Sequence, residues 1–310
     1  MPLTAAEGGK LYREGMKVRI GISAGPLGAG SAALVDLVGG IGQHGFDSLW
    51  LSELLTGPVL DPTVALAWAG AQQPKLKLGT TMLLPGRNVV RLAKQLSTLD
   101  ALSNGRVLLV FVPGLAREPE RSAIGLPPAR RGRFIDEAIP VLRRLWAGET
   151  VTFAGEELHL DGVSINPLPV QQPLEMWLGG MVPASLERCG RLSDGWLPSL
   201  CTPEEAVAGR VVINEAADRA GRQIDPEHFG VSVGYSHQPL DEAAIRTISA
   251  RSRGNDVAEM VPVGLPALRK LLERFIEVGF SKFVVRPMAH PSDWNEELAQ
   301  LAGAVGDLQT

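Results

Sequence analysis

Cysteine, histidine and net charge are all scarce in this chain. Its 310 residues include two cysteines, Cys189 and Cys201, and five histidines, and the formal net charge is −4. Two cysteines are too few for the disulfide framework of a secreted protein, so we expect a cytoplasmic location. The nearly balanced charge gives no electrostatic attraction to nucleic acid or to an anionic membrane, so we expect neither as a partner.

Long apolar runs and nucleotide-loop motifs are absent as well. Runs such as Val107–Val112 are far shorter than the ~20 residues that cross a membrane. Residues 1–16 lack the apolar segment of a signal peptide, and we interpret them as a flexible leader before a single domain at residues 17–310. The histidines have no metal-ligand spacing, and no Ser-His-Asp arrangement, Walker lysine or G-x-G-x-x-G motif is visible, so we expect no metal.

The chain does contain a regular alternation of short β-branched runs with longer amphipathic segments. With 45% hydrophobic residues it can bury a large core. The predicted strands are Lys17–Ser23, Asp47–Ser52, Lys75–Thr81, Arg106–Val112, Leu174–Leu178, Gly195–Pro198, His228–Gly234 and Lys282–Arg286. Strands that alternate with helices pair in parallel through right-handed crossovers. This predicts an α/β fold, a (β/α)8 TIM barrel, with a doubly wound sheet as the alternative.

Three local signals add detail to this prediction. The runs Thr150–Phe153 and Glu156–Leu160 indicate a small β-hairpin, inserted between barrel elements. Asp61 followed by Pro62 is typical of a helix start, with a capping side chain and a proline in the first turn. Thr202–Glu205 has the residue types of a capping box, in which the first and fourth side chains bond each other's backbone.

Active sites of such barrels lie at the carboxyl ends of the strands, so these ends supply the candidate residues. They are Ser23, Ser52, Glu53, Thr80, Thr81, Met82, Gly179, Gly180, Met181, Trp196 and Arg286. Glu53 is the candidate catalytic residue, able to accept a proton or orient a ring, and the alternative is an ion pair with a neighbouring loop. Arg286 is a candidate anchor for an anionic substrate, and the alternative is a salt bridge across the barrel end.

The sharpest local signal is the run Leu178–Ser185, in which two glycines follow a strand and Pro183 begins a helix. Glycines let the backbone approach a ligand, and the free N–H groups of a helix start favour a phosphate. The alternative is an ordinary tight turn. Trp196 similarly suits either a stacking platform or a packing residue. Because the set lacks a nucleophile and a metal, it indicates a site that holds a cofactor with its own chemistry.

Several motifs together resemble the luciferase-like monooxygenase superfamily, most closely its coenzyme F420-dependent class. They are Gly45–Glu53, Leu78–Pro85, Leu99–Arg106, Leu145–Gly148 and Asp194–Pro198. The resemblance implies a flavin- or deazaflavin-dependent oxidoreductase that binds F420 or FMN at the carboxyl end of the barrel. It also implies hydride transfer or oxygen activation on a small organic substrate, and a cofactor phosphate near Gly179–Met181. A bulge with a non-proline cis peptide is expected at Thr81–Met82. Apart from the resemblance, apolar helices at the barrel end are consistent with a homodimer.

The chain departs from the family pattern at two places. Leu54 stands where many deazaflavin-dependent members have a histidine, and Val110 and Val112 stand where relatives tend to have glycine. Inward-pointing valines would take volume from a ring pocket. The sequence therefore leaves a second hypothesis, a non-catalytic paralogue that binds cofactor weakly or not at all. A barrel hydrolase or lyase is a third and weaker one, because no nucleophile is visible.

Overall fold

Eight parallel strands surround the centre of the computed structural model, which describes residues 15–25 and 30–310. In chain order the strands, with a separate β5–β6 pair, are β1 (Arg19–Ser23), β2 (Ser48–Ser52), β3 (Lys77–Leu83), β4 (Val107–Val112), β5 (Val151–Ala154), β6 (His159–Val163), β7 (Met176–Leu178), β8 (Gly195–Trp196), β9 (Gly230–Tyr235) and β10 (Lys282–Pro287). The hydrogen-bonded order is β8-β7-β4-β3-β2-β1-β10-β9. Parallel bridges from Trp196 to Phe229 and from Ser199 to Ser232 join the two end strands. The predicted barrel is confirmed, and the doubly wound alternative is wrong because these bridges close the sheet.

Helices connect the strands on the outside of the barrel. They are α1 (Ser31–Gln43), α2 (Pro62–Gln72), α3 (Val89–Ser103), α4 (Glu120–Ile124), α5 (Pro128–Trp146), α6 (Pro183–Leu192), α7 (Pro203–Arg219), α8 (Glu242–Ser249), α9 (Val257–Met260), α10 (Leu265–Glu277) and α11 (Trp294–Val305), with a 3-10 turn at Gly306–Leu308. The short helices α4, α8 and α9 were not predicted, since each lies in a loop with too few turns to establish a helical period.

The predicted caps and the hairpin are confirmed. The Asp61 carboxylate accepts a hydrogen bond from the Val64 amide at 3.0 Å, and α2 begins there. Thr202 and Glu205 bond each other's backbone N–H groups, each at 3.2 Å, which completes the capping box of α7. Strands β5 and β6 form an antiparallel pair outside the barrel. Of the predicted leader at residues 1–16, all but the last two residues lie outside the described part of the chain.

Side chains of the barrel strands alternate between an outer core under the helices and the barrel lumen. The lumen is filled at mid-height by a layer of Trp50, Val110, Leu197 and Val284, which pack together. These four side chains come from every second strand around the barrel, as is typical of layered barrel interiors. We call them the Trp50 layer. The layer separates the lumen into a mouth at the carboxyl ends of the strands and a cavity at the amino ends.

No helix among the described residues is both long and apolar enough to cross a lipid bilayer. Within the same residues, no group of three or more His, Cys, Asp or Glu side chains is arranged to hold a metal ion.

Candidate functional site

The mouth of the barrel is lined mainly by small side chains. Alternation along the strands, continued upward from the Trp50 layer, directs one set of residues into the lumen. Its members at the carboxyl ends are Ser23, Ser52, Thr81, Val112, Gly179, Ser199, Ser232, Gly234 and Arg286. Of the candidates predicted from the sequence, Ser23, Ser52, Thr81, Gly179 and Arg286 therefore converge on one opening.

Three predicted cofactor-binding residues point the other way. Met82 and Trp196 are fully buried and belong to the outer core, and Thr80 is buried between the barrel and the helices. The Thr80 hydroxyl has no hydrogen-bond partner among the described residues. Trp196 packs against Gly209 of α7 and donates a hydrogen bond from Nε1 to the Gly180 carbonyl at 3.0 Å. These side chains can support the mouth but cannot line it, because residues adjacent in a strand face opposite sides.

The bulge and cis peptide expected at Thr81–Met82 are not found. Strand β3 keeps a regular register with both neighbours through this point, with Thr81 opposite Ser52 and Leu83 opposite Val112. The cis bonds of the described chain all precede proline, at Pro119, Pro167 and Pro173. This expectation came from the family resemblance alone and is wrong for this structure.

Glu53 lies just beyond the end of β2, and its carboxylate is already engaged. It forms an ion pair with Arg87, and it accepts a hydrogen bond from the Leu83 amide at 2.8 Å. Arg87 in turn donates from Nε to the Leu83 carbonyl at 2.8 Å. The carboxylate is 5% exposed. This geometry favours the alternative reading, in which Glu53 ties the end of β3 to the following loop.

The run after β7 has the features of an anion site. Helix α6 begins at Pro183, its capping residue is Val182, and no side chain caps its first turn. Gly180 adopts a φ of +106°, a conformation that side-chain-bearing residues rarely adopt. Met181 and Ser185 are half-buried on either side of this turn. Pro183 has no N–H and the Ser185 N–H donates to the Val182 carbonyl at 2.8 Å, so among the described residues Ala184 supplies the free N–H of this first turn, together with the positive end of the helix dipole.

Arg286 brings an uncompensated positive charge into the mouth. Its one hydrogen bond within the described residues runs from Nη1 to the Met288 sulfur at 3.4 Å. Gly234 on the neighbouring strand leaves room for that sulfur, since a Cβ there would lie 2.7 Å from it and 3.5 Å from the guanidinium carbon. Burial lowers the pKa of Arg286, and the charge of Arg251 lowers it further. Burial and the charge of Arg117 in turn lower the pKa of Arg251, so several arginines approach the same opening.

The two valines of β4 have different surroundings, although both face the lumen. Val110 is buried in the Trp50 layer beneath the mouth. Val112 is half-buried at the mouth, where a Cβ at Gly179 would lie 2.9 Å from its Cγ1. Ser199 and Ser232 were missed because neither stands in a recognisable motif. Counting alternate positions onward from the inward Leu197 would have found Ser199.

The family is decided by a comparison of sequences. Residues 15–301 match the profile of the luciferase-like monooxygenase family. The chain belongs to that family. The predicted membership is thereby confirmed over most of the chain, and it extends beyond the motifs quoted from the first six strands.

Two dehydrogenases share moderate sequence identity with the chain. An F420-dependent glucose-6-phosphate dehydrogenase of Nakamurella multipartita is 29% identical over 228 residues, which are 67% of this chain and 64% of that protein. The enzyme of the same name from Kineococcus radiotolerans is 28% identical over 59% of this chain and 57% of its own length. The matched region therefore spans less than two thirds of either relative.

Solved structures of low sequence identity share the fold. An F420-dependent secondary alcohol dehydrogenase in complex with an F420-acetone adduct superposes with a TM-score of 0.77 at 19% identity, covering 95% of this chain and 100% of that one. A monooxygenase from Streptomyces bottropensis superposes with a TM-score of 0.74 at 22% identity, covering 94% and 99%. At these identities the likeness establishes the barrel fold and nothing narrower.

Proposed function

We propose that this protein is an oxidoreductase that binds F420, or else FMN, at the barrel mouth and acts on a small anionic organic substrate. The observation that carries the proposal is the mouth itself. An opening lined by small side chains adjoins a helix start without a side-chain cap on one side and an uncompensated arginine on the other. Family membership and the F420-dependent relatives support the choice of cofactor.

The residues of the mouth fit a planar ring with a phosphate-bearing tail. Seven of the inward positions are serine, threonine or glycine, which leave volume and offer hydroxyl hydrogen bonds. The N–H groups of Gly180 and Ala184 would hold the phosphate, because no side chain caps this helix start. When bound, such a cofactor supplies the hydride or oxygen chemistry at its ring. The protein orients it, excludes water through the Trp50 layer beneath, and positions the substrate.

Arg286 is the residue we assign to the substrate. Arg286 is half-buried, and a charge partly withdrawn from water is costly unless a partner compensates it; no carboxylate does so within the described residues. A substrate phosphate or carboxylate would supply that partner. Glucose 6-phosphate, the substrate in the name of the two dehydrogenase relatives, carries such a group, and it is the first compound to test.

A fluorescence titration tests the cofactor half of the proposal. Purified protein is titrated with F420 and separately with FMN, and we expect micromolar binding of one of them. Ala184, exposed in the first turn of α6, is then replaced by glutamate or glutamine. Ala184→Glu should weaken binding about tenfold or more, because its charge occupies the helix start and repels the phosphate. Ala184→Gln should bind nearly as the parent does, and equal affinities of the two variants would refute the phosphate site.

A non-catalytic paralogue is the second candidate, and the observation that favours it is Val112. This side chain stands at the mouth against Gly179, where the family tends to have glycine, and Leu54 replaces a common histidine. Failure of both F420 and FMN to bind at high concentration would favour this candidate over the enzyme.

We also propose a homodimer formed through the outer face of α2. This helix contains no charged residue. Leu60, Val64 and Trp68, spaced four apart, are 40%, 71% and 37% exposed. Val64→Glu should shift the mass measured by light scattering toward the monomer, while Val211→Glu on α7, also exposed, should not.

A cytoplasmic location is consistent with two buried free cysteines, whose pKa burial raises to about 12.

A further inference from the structure

The lumen on the amino-terminal side of the Trp50 layer contains a cavity of about 220 Å³. Its inner end is formed by Trp50, Leu197 and Val284, and its walls come from the first residues of the strands. An apolar cavity of roughly 150 Å³ is enough to hold benzene, so this space accommodates a one-ring molecule. The Trp50 layer separates it from the mouth, and the cavity is therefore no part of the proposed cofactor site.

One wall of the cavity is aromatic. The Trp177 indole lies flat along β8, because Gly195 leaves the room that a Cβ would take. His228 lies beside it, with ring centroids 5.4 Å apart and the planes inclined by 38°. Leu108 lines the same cavity. Trp177 is only half-buried, which leaves part of its ring available to a planar ligand.

The other wall is basic, and its positive charges exceed its negative ones. Arg19 and Lys77 share one carboxylate, that of Asp47, at 3.5 and 3.2 Å. Lys282 pairs with Glu227 at 3.1 Å. Burial lowers the pKa of Lys282, its hydrogen bond and ion pair with Glu227 partly offset this, and the charges of Arg19 and Lys77 lower the pKa further. Three cations thus face two carboxylates on this wall, while Glu175 across the cavity is a third carboxylate, so the excess of positive charge is local to the basic wall.

The partners of these cations identify the one best placed to receive a ligand. Arg19 also donates to the main-chain oxygens of Val18 and Thr310, so its guanidinium is largely engaged. Lys77 has Asp47 as its one ion-pair partner in the described chain, and its side chain is 45% exposed. On the aromatic wall, Glu175 accepts a hydrogen bond from Trp177 Nε1 at 3.4 Å. Its charge would repel an anion there, which orients a ligand with its ring at that wall and its negative group at Lys77.

We propose that this cavity is a second binding site, which takes a small aromatic carboxylate with its ring against Trp177 and its carboxylate at Lys77. The apolar inner end and the indole stabilise the ring by burial and stacking. The basic wall selects the charge. The site lies at the opposite end of the barrel from the proposed active site, and its occupancy does not depend on whether the protein binds F420 or FMN.

Calorimetric titration with three one-ring probes of similar size tests this site. Benzoate should bind with a Kd of about 1 mM or below, given the few heavy atoms that make contact. Benzyl alcohol, which keeps the ring without the charge, should bind at least about fivefold more weakly. Benzylamine should bind no better than the alcohol. Absence of saturable benzoate binding up to about 10 mM, or tighter binding of benzylamine than of benzoate, would overturn the proposal.

Variants locate the binding at this cavity. Lys77→Met should weaken benzoate binding about fivefold while leaving benzyl alcohol unchanged. Lys75→Met, an exposed lysine outside the cavity lining, is the matched control and should bind benzoate as the parent does. Leu108→Trp should fill the cavity and abolish binding of both ring probes, with circular dichroism to verify the fold. Equal affinities of Lys77→Met and Lys75→Met for benzoate would mean that the anion binds elsewhere.

Discussion

The indole of Trp50 occupies the space that a side chain at position 79 would need. A Cβ built on Gly79 would collide with the indole ring, and one built on Gly21 would lie 2.6 Å from its Cδ1. Trp50 Nε1 donates a hydrogen bond to the Ser48 hydroxyl at 2.9 Å, which fixes the ring in the lumen. The two glycines on the strands that flank β2 therefore allow one large side chain to fill the middle of the barrel.

Replacing Gly79 by alanine should destabilise the protein markedly. The added methyl group meets a rigid buried ring, and overpacking of this kind costs about 2–3 kcal/mol of unfolding free energy. Gly39→Ala is the matched control: it lies inside α1, a Cβ there meets nothing within 4 Å, and the change should stabilise by about 0.5–1 kcal/mol. Chemical denaturation measures both. Similar unfolding free energies for the two variants would show that the Trp50 indole is not packed rigidly against Gly79.

Glu53 and Arg87 should behave as one structural unit. Glu53→Gln and Arg87→Gln should each lower the unfolding free energy by about 2–3 kcal/mol, because each leaves a largely buried partner uncompensated. The double variant should cost less than the sum of the single changes. Turnover should fall to a similar extent in both single variants without a change in its pH profile. If Glu53 instead transfers a proton, Glu53→Gln alone should lower kcat about 100-fold or more. It should also remove the part of the pH profile that reports the titration of Glu53.

Arg286→Met should make the unliganded protein more stable and impair substrate binding. Removing a half-buried charge that has no carboxylate partner in the described chain should raise the unfolding free energy by about 1 kcal/mol, because residues retained for function are often not those that maximise stability. With cofactor bound, glucose 6-phosphate should raise the melting temperature of the parent more than glucose does. That difference should vanish in Arg286→Met but persist in Arg246→Met, an exposed arginine of α8. A retained difference would exclude Arg286 as the anion anchor.

The two valines of β4 should differ in their effect on cofactor affinity. Val112→Gly opens the mouth beside Gly179 and should tighten binding of F420 or FMN. Val110 lies in the Trp50 layer below the mouth, so Val110→Gly should leave cofactor affinity unchanged. The cavity that this change creates should lower the unfolding free energy by about 2–3 kcal/mol. Titrations and denaturation curves of both variants distinguish these effects. Tighter binding by Val110→Gly rather than Val112→Gly would mean that the ring enters deeper than the mouth.

Local patterns predicted the elements that depend on nearby residues. The helix start at Asp61, the capping box at Thr202 and the hairpin all follow from interactions within a few positions, and each is present. The order and parallel pairing of the strands followed from their alternation with helices. Strand ends were predicted less well, since β3 continues to Leu83, two residues beyond the predicted end.

The predicted site residues fall into two groups, according to which face of the barrel wall their side chains occupy. Thr80, Thr81 and Met82 were all selected because they stand at a strand end, yet only Thr81 faces the lumen. Trp196 and Glu53 were selected for the same reason, and tertiary contacts direct them to the outer core and to Arg87. The bulge at Thr81–Met82 was transferred from the family and is absent from the regular register of β3.

The sequence by itself determined the parallel α/β class, the helix caps and the glycine turn that precedes α6, because these depend on periodicity and on contacts between near neighbours. Only the tertiary structure decided which alternate residue of each strand enters the lumen, that Trp50 divides the lumen, and that Arg286 has no carboxylate beside it in the described chain. The physical reason is that closure of the barrel decides, for all strands at once, which alternate residues face the lumen. This choice depends on pairing between residues far apart in the chain, such as Arg19 with Lys282.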